Sequence, residues 1–213
     1  MATPPPVLFP TEATHDGVEY AARYFAAMRE AMAKIDLSSI AKAATLLGQI
    51  YDRGGRVFCI GNGGSASISD HLMCDHMKGV RTGTDRRPNV CSLASNSAMI
   101  TAIGNDMSFE KIFVYQLESM AKAGDGLIAI SSSGNSPNII AALEWAKREK
   151  VSTITLTGFQ GGKARDLSDA NVYVPVENYG ISEDLHQSVM HILAQFLRME
   201  KLAASTPLPQ TKF

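Results

Sequence analysis

Apolar residues recur at helical spacing in the first quarter of the chain. The stretches EYAARYFAAMREAMAKI and DLSSIAKAATLLGQIY carry alanine, leucine, isoleucine and methionine at intervals of three and four residues. This period is typical of an α-helix with one apolar face. The segment DLSS at residues 36–39 breaks the pattern and supplies a cap for the second helix. Two helices are therefore predicted ahead of any strand.

After residue 53, short apolar runs alternate with helical patterns. The runs are GGRVFCIGNGG, NVCSLAS, GDGLIAISSSG, VSTITLTG and ANVYVPV. Strands separated by helices pair in parallel and are covered by helices on both faces. The sequence therefore predicts an α/β fold, a doubly wound five-stranded parallel sheet flanked by helices. The two leading helices are surplus to that sandwich, and their alanine-rich faces suit packing against another subunit.

The chain of 213 residues is long enough for one domain with a full core. A single domain is predicted, with the two leading helices at residues 16–53 and the sheet with its helices at residues 54–203. Proline and threonine are frequent near the start, and STPLPQTKF ends the chain. A loose arm at residues 1–15 and a loose tail at residues 204–213 are therefore expected.

Charge and composition exclude two classes of partner. The formal net charge is -1, whereas binding to nucleic acid needs a clustered excess of Lys and Arg. No apolar run approaches the roughly 20 residues that cross a bilayer, and the N-terminal sequence lacks the features of a signal peptide. The three cysteines have no C-x-x-C spacing, which fits a reducing compartment. A cytoplasmic protein that binds neither nucleic acid nor membrane is predicted.

A run of serines, SSSGNSP at residues 131–137, separates the third predicted strand from a helix. Pro137 suits the first position of that helix and Ser136 suits its N-cap. Gly134 lets the backbone approach a ligand closely, and a helix N-terminus attracts anions. Serines cap many helices without binding a ligand, but four hydroxyls exceed what one cap requires. The sequence therefore predicts a phosphate cradle formed by Ser131, Ser132, Ser133 and Ser136.

A glycine-rich loop, GNGGS at residues 61–65, follows the first predicted strand. It differs from the G-x-G-x-x-G fingerprint of dinucleotide binding, and NVCSLASNS offers no Asp or Glu after the second strand to bind a ribose. In an open parallel sheet, ligands bind outside the carboxyl ends of the strands. We therefore expect this loop to present Asn62, Gly63 and Ser65 to a small polar ligand.

Titratable side chains occur near the same edge of the sheet. His71 and Asp75 are four residues apart, so they lie on one face of the helix after the glycine loop. Metal ligands and acid–base pairs both use this spacing. The last predicted helix has an apolar face formed by Val189, Ile192, Leu193 and Phe196. His191 interrupts this face. A core histidine with a hydrogen-bond partner is the simpler explanation for His191 alone. Two groups of titratable side chains near one edge of the sheet, however, favour a functional site.

Several motifs taken together resemble the sugar isomerase (SIS) domain. They are GNGGS, the histidine six residues after its serine, SSSGNSPN, TLTGFQGGK and DLHQSVMHIL. Within that family the chain looks most like the phosphoheptose isomerases, and the resemblance covers about residues 20–202. It implies a five-stranded parallel sheet between helices, assembled as a homotetramer through the N-terminal helices, with active sites at the subunit interfaces.

The resemblance also implies roles for individual residues. It places sugar-phosphate ligands at Ser65, Ser131, Ser133 and Ser136. It places polar sugar contacts at Asn62 and Asp106, zinc ligands at His71 and His191, and the catalytic base at Asp75.

Two positions depart from the family pattern. Asp75 stands where the family normally has glutamate, and Glu183 stands where it normally has glutamine. Both replacements keep an oxygen that can bind metal or substrate. The expected zinc set is therefore His71, Asp75, Glu183 and His191, and Glu183 is also an expected substrate contact. Helical periodicity, however, places Asp184 and Gln187, rather than Glu183, on the face that carries the last histidine.

The implied activity is aldose–ketose isomerisation of sedoheptulose 7-phosphate to D-glycero-D-manno-heptose 7-phosphate through an enediol. Asp75 would remove a proton from C1, and His191 would move a proton at the O1 and O2 end. Two alternatives stay open. One is an isomerase for another phosphosugar, such as arabinose 5-phosphate or a hexose phosphate, and the other is a SIS-domain regulator that binds a partner without catalysis. The carboxylate at Asp75 and the imidazole at His191 favour an enzyme.

Overall fold

The structure, a computed structural model, describes residues 3–204 and 206–208. Most of the predicted loose tail falls outside these residues. The strands are β1 (Val7–Leu8), β2 (Arg56–Gly61), β3 (Asn89–Ser92), β4 (Gly126–Ser131), β5 (Ser152–Thr157), β6 (Ala170–Tyr173) and β7 (Val176–Glu177). The α-helices are α1 (Gly17–Ala33), α2 (Leu37–Asp52), α3 (Gly64–Cys74), α4 (Ser97–Asp106), α5 (Val114–Met120), α6 (Pro137–Arg148), α7 (Gly162–Leu167) and α8 (Tyr179–Met199).

Two further helical segments occur in the described part of the chain. A π-helix (Asp75–Val80) continues α3 directly, and a 3-10 turn (Phe109–Lys111) lies between α4 and α5. Among the described residues, no helix combines the length and the apolar character needed to cross a bilayer.

Strands β2 to β6 form one sheet in the order β3-β2-β4-β5-β6, and every neighbouring pair is parallel. The chain runs from β2 out to β3 and then crosses to the other side of β2 to form β4. The carboxyl ends of β2 and β4 therefore flank the switch point, which is where open α/β sheets bind ligands. The glycine loop follows β2 and the serine loop follows β4, so the strand order brings the two loops together.

Apolar clusters fill the space between the sheet and its helices. On one face, α2, α3 and α8 pack against strand residues such as Val57 and Ile128. On the other face, α5 and α6 pack against strand residues such as Phe58 and Leu127. Neighbouring strand residues point to opposite faces, so both faces are buried and the central strands are apolar throughout. The predicted doubly wound α/β fold is confirmed.

The two leading helices pack differently, and the prediction that both are surplus to the sandwich is wrong for α2. Ala43 and Leu47 of α2 are fully buried in the cluster against the sheet, because they are four residues apart and lie on one stripe. In contrast, α1 leaves Val18, Phe25 and Met32 at 81%, 64% and 54% exposure. These three residues are spaced seven apart and form the exposed stripe of α1.

The N-terminal arm is not loose where it meets the rest of the fold. β1 pairs in parallel with β7, and Val7 and Phe9 are buried against Ala27 and Ala31 of α1. Asn178 Nδ2 donates to Phe9 O at 3.1 Å. The composition of the arm does not predict this packing, because the residues that bury Val7 and Phe9 lie elsewhere in the sequence.

Candidate active site

The glycine loop and the serine loop line a cavity of about 340 Å³ at the switch point. Its wall contains the predicted binding residues Asn62, Gly63, Ser65, Ser131, Ser132, Ser133, Ser136 and Glu183. Gly64 and Tyr179, which sequence reasoning missed, also line it. Hydroxyl groups and glycines dominate this wall, which suits a small ligand rich in oxygen atoms.

Ser136 occupies the N-cap position of α6, and Pro137 is the first helical residue. The Ser136 side chain, however, makes no capping hydrogen bond. Other N-cap side chains of this chain do accept from the backbone, as Asn96 does at α4 and Asn178 does at α8. Helix capping therefore does not account for the Ser136 hydroxyl, and this residue lines the cavity instead.

The serine loop is held by the glycine-rich loop that follows β5. Gly134 has a φ of 65°, and a Cβ there would lie 2.0 Å from Gly161 O, so a side chain does not fit. Gly134 O accepts from Ala164 N at 2.9 Å, and Asn135 Oδ1 accepts from Lys163 N at 3.0 Å. These contacts fix the loop backbone without a ligand, which lowers the entropic cost of binding one.

Asn62 and Asn138 exchange two hydrogen bonds across the switch point. Asn62 Nδ2 donates to Asn138 Oδ1 at 2.9 Å, and Asn138 Nδ2 donates to Asn62 Oδ1 at 2.8 Å. Asn138 is buried in the first turn of α6, so the pair ties the glycine loop to the helix that follows the serine loop. Sequence reasoning assigned no role to Asn138, although it ends the motif SSSGNSPN.

Glu183 lies against the start of α3. A Cβ added to Gly64 would lie 2.2 Å from Glu183 Oε2, so the missing side chain makes room for the carboxylate. Burial raises the pKa of Glu183, and the charge of Asp184 raises it further. The structure does not bear out the expected metal-binding role of Glu183, because its position eight residues before His191 is about 12 Å away along α8. Its place in the cavity wall suits a contact with substrate.

His71, Asp75 and His191 come together and are called the His–Asp group below. Asp75 Oδ1 is 3.4 Å from His71 Nε2, and Asp75 Oδ2 is 3.4 Å from His191 Nε2. The two imidazole rings meet edge to face with centroids 5.1 Å apart. One ligand atom from each residue lies within 4.8 Å of the others, so one cation could contact all three. Two imidazoles and a carboxylate are a donor set that suits zinc and related metals.

The His–Asp group is accessible to solvent, and His191 is not a core histidine. The side chains of His71, Asp75 and His191 are 47%, 29% and 39% exposed. Ile192 and Phe196, which the sequence placed on an apolar face beside His191, are about half exposed. Only one stripe of α8 packs onto the sheet, and the His–Asp group lies at the border of that stripe.

Gln187 bridges the two histidines. Its Nε2 lies 2.8 Å from His71 Nδ1 and 3.2 Å from His191 Nε2. Gln187 is one helical turn before His191, so the helical spacing on α8 points to this residue where the family pattern points to Glu183.

Within the described part of the chain, Asp106 is the one predicted site residue that belongs neither to the cavity nor to the His–Asp group. It is exposed at the end of α4, and its carboxylate accepts from Asn105 Nδ2 at 2.8 Å. It lines neither the cavity at the switch point nor the His–Asp group. A contact between Asp106 and a ligand in that cavity is therefore not made within one chain.

An open parallel sheet with a hydroxyl-lined cavity at its switch point defines an α/β protein built to bind a small, oxygen-rich ligand. Residues 20–158 match the model of the SIS domain family. The chain therefore belongs to the SIS domain family, and the membership predicted from its motifs is confirmed.

Proteins named phosphoheptose isomerase are similar to this chain over most of its length. The chain is 34% identical to the phosphoheptose isomerase of Aliarcobacter butzleri over 179 residues, which cover 83% of this chain and 94% of the relative. It is 33% identical to that of Desulfovibrio desulfuricans over 189 residues, which cover 87% of this chain and 90% of the relative. The solved structure of a phosphoheptose isomerase from Francisella tularensis superposes with a TM-score of 0.80 at 28% identity, covering 86% of this chain and 99% of that chain.

Proposed function

We propose that this chain is a phosphosugar aldose–ketose isomerase that converts sedoheptulose 7-phosphate to D-glycero-D-manno-heptose 7-phosphate. The observation that carries the proposal is the placement of the cavity and the His–Asp group along one pair of helices. Glu183, near the start of α8, lies against Gly64 at the start of α3. Further along α8, His191 contacts Asp75, where the π-helix continues α3. The cavity proposed to bind the phosphate and the His–Asp group proposed to move protons therefore follow one another along the same two helices. The named relatives support the choice of substrate.

The spacing between the two sites suits a long sugar phosphate. Gly64 and His71 are seven residues apart, which is about 10 Å along a helix. In sedoheptulose 7-phosphate, seven bonds separate the phosphorus from the C2 carbonyl, a span of roughly 8 Å in an extended chain. A five-carbon ketose phosphate is shorter by two bonds. Both lengths fit within the spacing, so the choice of a seven-carbon substrate rests on the names of the relatives.

Each group has a task in the proposed reaction. The phosphate cradle and Ser65 hold the phosphate, while Asp75 removes a proton from C1 and His191 gives a proton to O2, so that the enediol forms. His191 then takes the proton from O1, Asp75 returns its proton to C2, and the aldose leaves. Every proton taken is given back, so the reaction needs no second substrate.

Zinc is the metal proposed for the His–Asp group. Two imidazoles and a carboxylate with ligand atoms within 4.8 Å of one another support it. When bound, zinc would polarise the sugar carbonyl and stabilise the negative charge that develops on its oxygen. Metal binding and proton transfer compete at this group, because each carboxylate oxygen of Asp75 faces a histidine of the proposed metal site.

A homotetramer with active sites at its interfaces is the proposed assembly. The exposed stripe of α1, Val18, Phe25 and Met32, is apolar surface that a second copy could cover. Asp106 lies outside the cavity of its own chain, which fits a contact with the ligand of a neighbouring copy. Both observations support the assembly that the family resemblance implies.

The cytoplasm is the proposed compartment. Cys59, Cys74 and Cys91 are all free, and free thiols suit a reducing environment. The net charge of -1 gives no support to a nucleic-acid partner, so the proposed partners are the phosphosugar and further copies of the chain.

One experiment tests the activity directly. Purified protein is incubated with sedoheptulose 7-phosphate, with and without zinc or a chelator, and the aldose product is followed by NMR. Parallel reactions contain arabinose 5-phosphate and a hexose phosphate. Turnover of the heptose that is lost on chelation supports both the isomerase and its metal. No turnover of any sugar, with a phosphosugar still raising the Tm, contradicts the isomerase and favours a SIS-domain regulator.

A further inference from the structure

Two polar side chains of α8 are fully buried behind the loop that follows β5. Ser182 and His186 are both 0% exposed, and they lie four residues apart on one face of the helix. Among the described residues, Ser182 Oγ and both ring nitrogens of His186 have no hydrogen-bond partner. A buried polar atom without a partner is unfavourable, and buried water commonly satisfies such atoms in folded proteins.

Both side chains face the end of β5. A Cβ added to Gly158 would lie 2.3 Å from Ser182 Oγ, so this hydroxyl lies directly against the Gly158 backbone. Burial lowers the pKa of His186 to about 4, and the nearby backbone of Thr157 offsets part of that fall. The contact with Thr157 nevertheless falls short of hydrogen-bond geometry. The ring is therefore neutral near pH 7, with one donor and one acceptor nitrogen.

The turn at residues 157–158 also supports the phosphate cradle. Gly158 N donates to Ser132 O at 2.9 Å, and Gly158 O accepts from Gly161 N at 2.7 Å. Ser132 Oγ is itself buried with no partner among the described residues. Gly161 touches Gly134 of the serine loop, where a Cβ would lie 2.0 Å from Gly161 O. A shift of Gly158 therefore moves the serine loop together with the loop that braces it.

We propose that Ser182 and His186 enclose a buried water site and are positioning residues for the phosphate cradle. A water between them can hydrogen-bond to both side chains and to the backbone at residues 157–158. The water then fixes the turn, and the turn fixes Ser132. Because α8 also carries His191, this site connects the helix of the His–Asp group to the loop that binds phosphate. The inference rests on the proposed function, in that the anion is a sugar phosphate.

Two substitutions test the positioning role. Ser182→Val removes the hydroxyl at similar size, and His186→Leu removes both ring nitrogens. We expect each to weaken the binding of inorganic phosphate about five- to tenfold, because one or two neutral hydrogen bonds between the side chain and the proposed water are lost. The KM for sedoheptulose 7-phosphate rises by the same factor while kcat stays within about twofold, since the reacting groups are untouched.

Two further variants separate positioning from general damage to the fold. His186→Gln keeps a donor and an acceptor, so it restores most of the phosphate affinity. Leu197→Ala truncates another fully buried side chain of α8, and it lowers the Tm without changing phosphate affinity. Ser182→Val keeps the test decisive if His186→Leu does not fold.

The outcomes are distinct. Unchanged phosphate affinity in folded Ser182→Val overturns the positioning role. A high-resolution crystal structure in which Ser182 and His186 bond directly to each other, with no water, overturns the water site. An ordered water between them, together with weakened phosphate binding in the variants, supports the inference. If the wild-type protein binds phosphate but isomerises no sugar, the proposed function fails, while the affinities and the water still support this inference.

Discussion

Asp75 Oδ2 lies 3.4 Å from His191 Nε2, and this contact joins two helices that are far apart in the sequence. Asp75 is the residue at which α3 passes into the π-helix. A π-helical turn changes the direction of the side chains that follow, and such turns are frequent at functional sites. His71, four residues earlier, reaches the other oxygen of the same carboxylate. One carboxylate thus connects two imidazoles, and the proposed metal binding and proton transfer both depend on this contact.

The Asp75→Asn substitution keeps the size of this side chain and removes its charge. We expect turnover of sedoheptulose 7-phosphate to fall at least about a hundredfold, because a general base is lost. Inorganic phosphate should still bind as in the wild type, since the phosphate cradle is formed by other residues. NMR measures the first quantity, and calorimetric titration measures the second.

Asp70→Asn is the matched control for that substitution. Asp70 is also on α3, and its carboxylate accepts from Ser92 Oγ at 2.5 Å, away from the His–Asp group. Its replacement should leave turnover within about threefold of the wild type, because it touches no reacting group. Equal turnover in the two variants would remove Asp75 from the mechanism.

Ser136→Ala tests whether this serine binds a ligand or caps a helix. Because its side chain makes no capping bond, the free energy of unfolding should stay within about 0.5 kcal/mol of the wild type. Phosphosugar affinity should fall about tenfold to a hundredfold, as expected when a hydrogen bond to a charged group is lost. Urea unfolding and calorimetric titration measure the two effects.

The control Asn96→Ala should show the opposite pattern. Asn96 Oδ1 accepts from Met99 N at 3.1 Å and caps α4. Its loss should lower the free energy of unfolding by about 1 kcal/mol and leave phosphosugar affinity unchanged. If Ser136→Ala behaves like Asn96→Ala instead, the serine is a cap and the phosphate cradle is smaller than proposed.

Metal content should follow the His–Asp group. Wild-type protein dialysed against zinc should hold about one zinc per chain, and His191→Gln should lose most of it because one of three donors is gone. His15→Gln, an exposed position outside the His–Asp group, is the control and should keep its zinc. Elemental analysis by mass spectrometry gives the metal content. Zinc bound equally by His191→Gln, or full turnover in chelator, would contradict the proposed metal site.

The fold was largely predictable because its elements are encoded locally. Buried strands read as apolar runs, and helices read as a period near 3.6, so the five-stranded sheet follows from the pattern. The errors arise where burial depends on residues distant in the sequence. Val7 and Phe9 are buried because β1 pairs with β7 and both residues pack against α1. The apolar stripe of α2 could equally have covered a subunit or a sheet.

The candidate site was predictable to a similar extent, and for similar reasons. Loops that end parallel strands meet at one edge, so the glycine and serine loops were expected to converge. The family pattern predicts a substrate contact at Glu183, and this residue lines the cavity, but the space that Gly64 leaves for its carboxylate is seen only in the fold. The spacing of α8 predicts Asp184 and Gln187 on the face of His191. Gln187 contacts both histidines, whereas Asp184 accepts from the Tyr24 hydroxyl at 2.6 Å.

Phe25→Glu tests the proposed assembly. This substitution places a charge at the centre of the exposed stripe of α1, so it should split a tetramer into smaller species and lower turnover per chain. Lys147→Glu, at an exposed position of α6, is a control for the change in charge and should leave the mass unchanged. Light scattering coupled to size exclusion measures the mass. A monomeric wild type, or an unaltered mass for Phe25→Glu, would contradict packing through α1.

Stability should depend on pH through the two histidines that the fold buries. Burial lowers the pKa of His76 to about 3 and that of His186 to about 4, from 6.5. Below pH 6.5 the unfolded chain binds a proton at each site while the folded chain does not, so stability falls as the pH falls. Above pH 6.5 neither site changes the stability. At about 1.4 kcal/mol per pH unit for each proton, His186 alone accounts for about 3 kcal/mol between pH 6.5 and 4.

Urea unfolding at a series of pH values between 8 and 4 measures this dependence. His186→Gln cannot take up the proton, so its free energy of unfolding should fall less steeply below pH 6.5, by about one proton in the slope. His15→Gln removes an exposed histidine and should leave the slope of the wild type unchanged. The two variants thus separate the buried imidazole from the loss of any histidine. If His186→Gln keeps the full slope, the acid sensitivity comes from His76 and carboxylates, and burial of His186 in its neutral form contributes nothing to it.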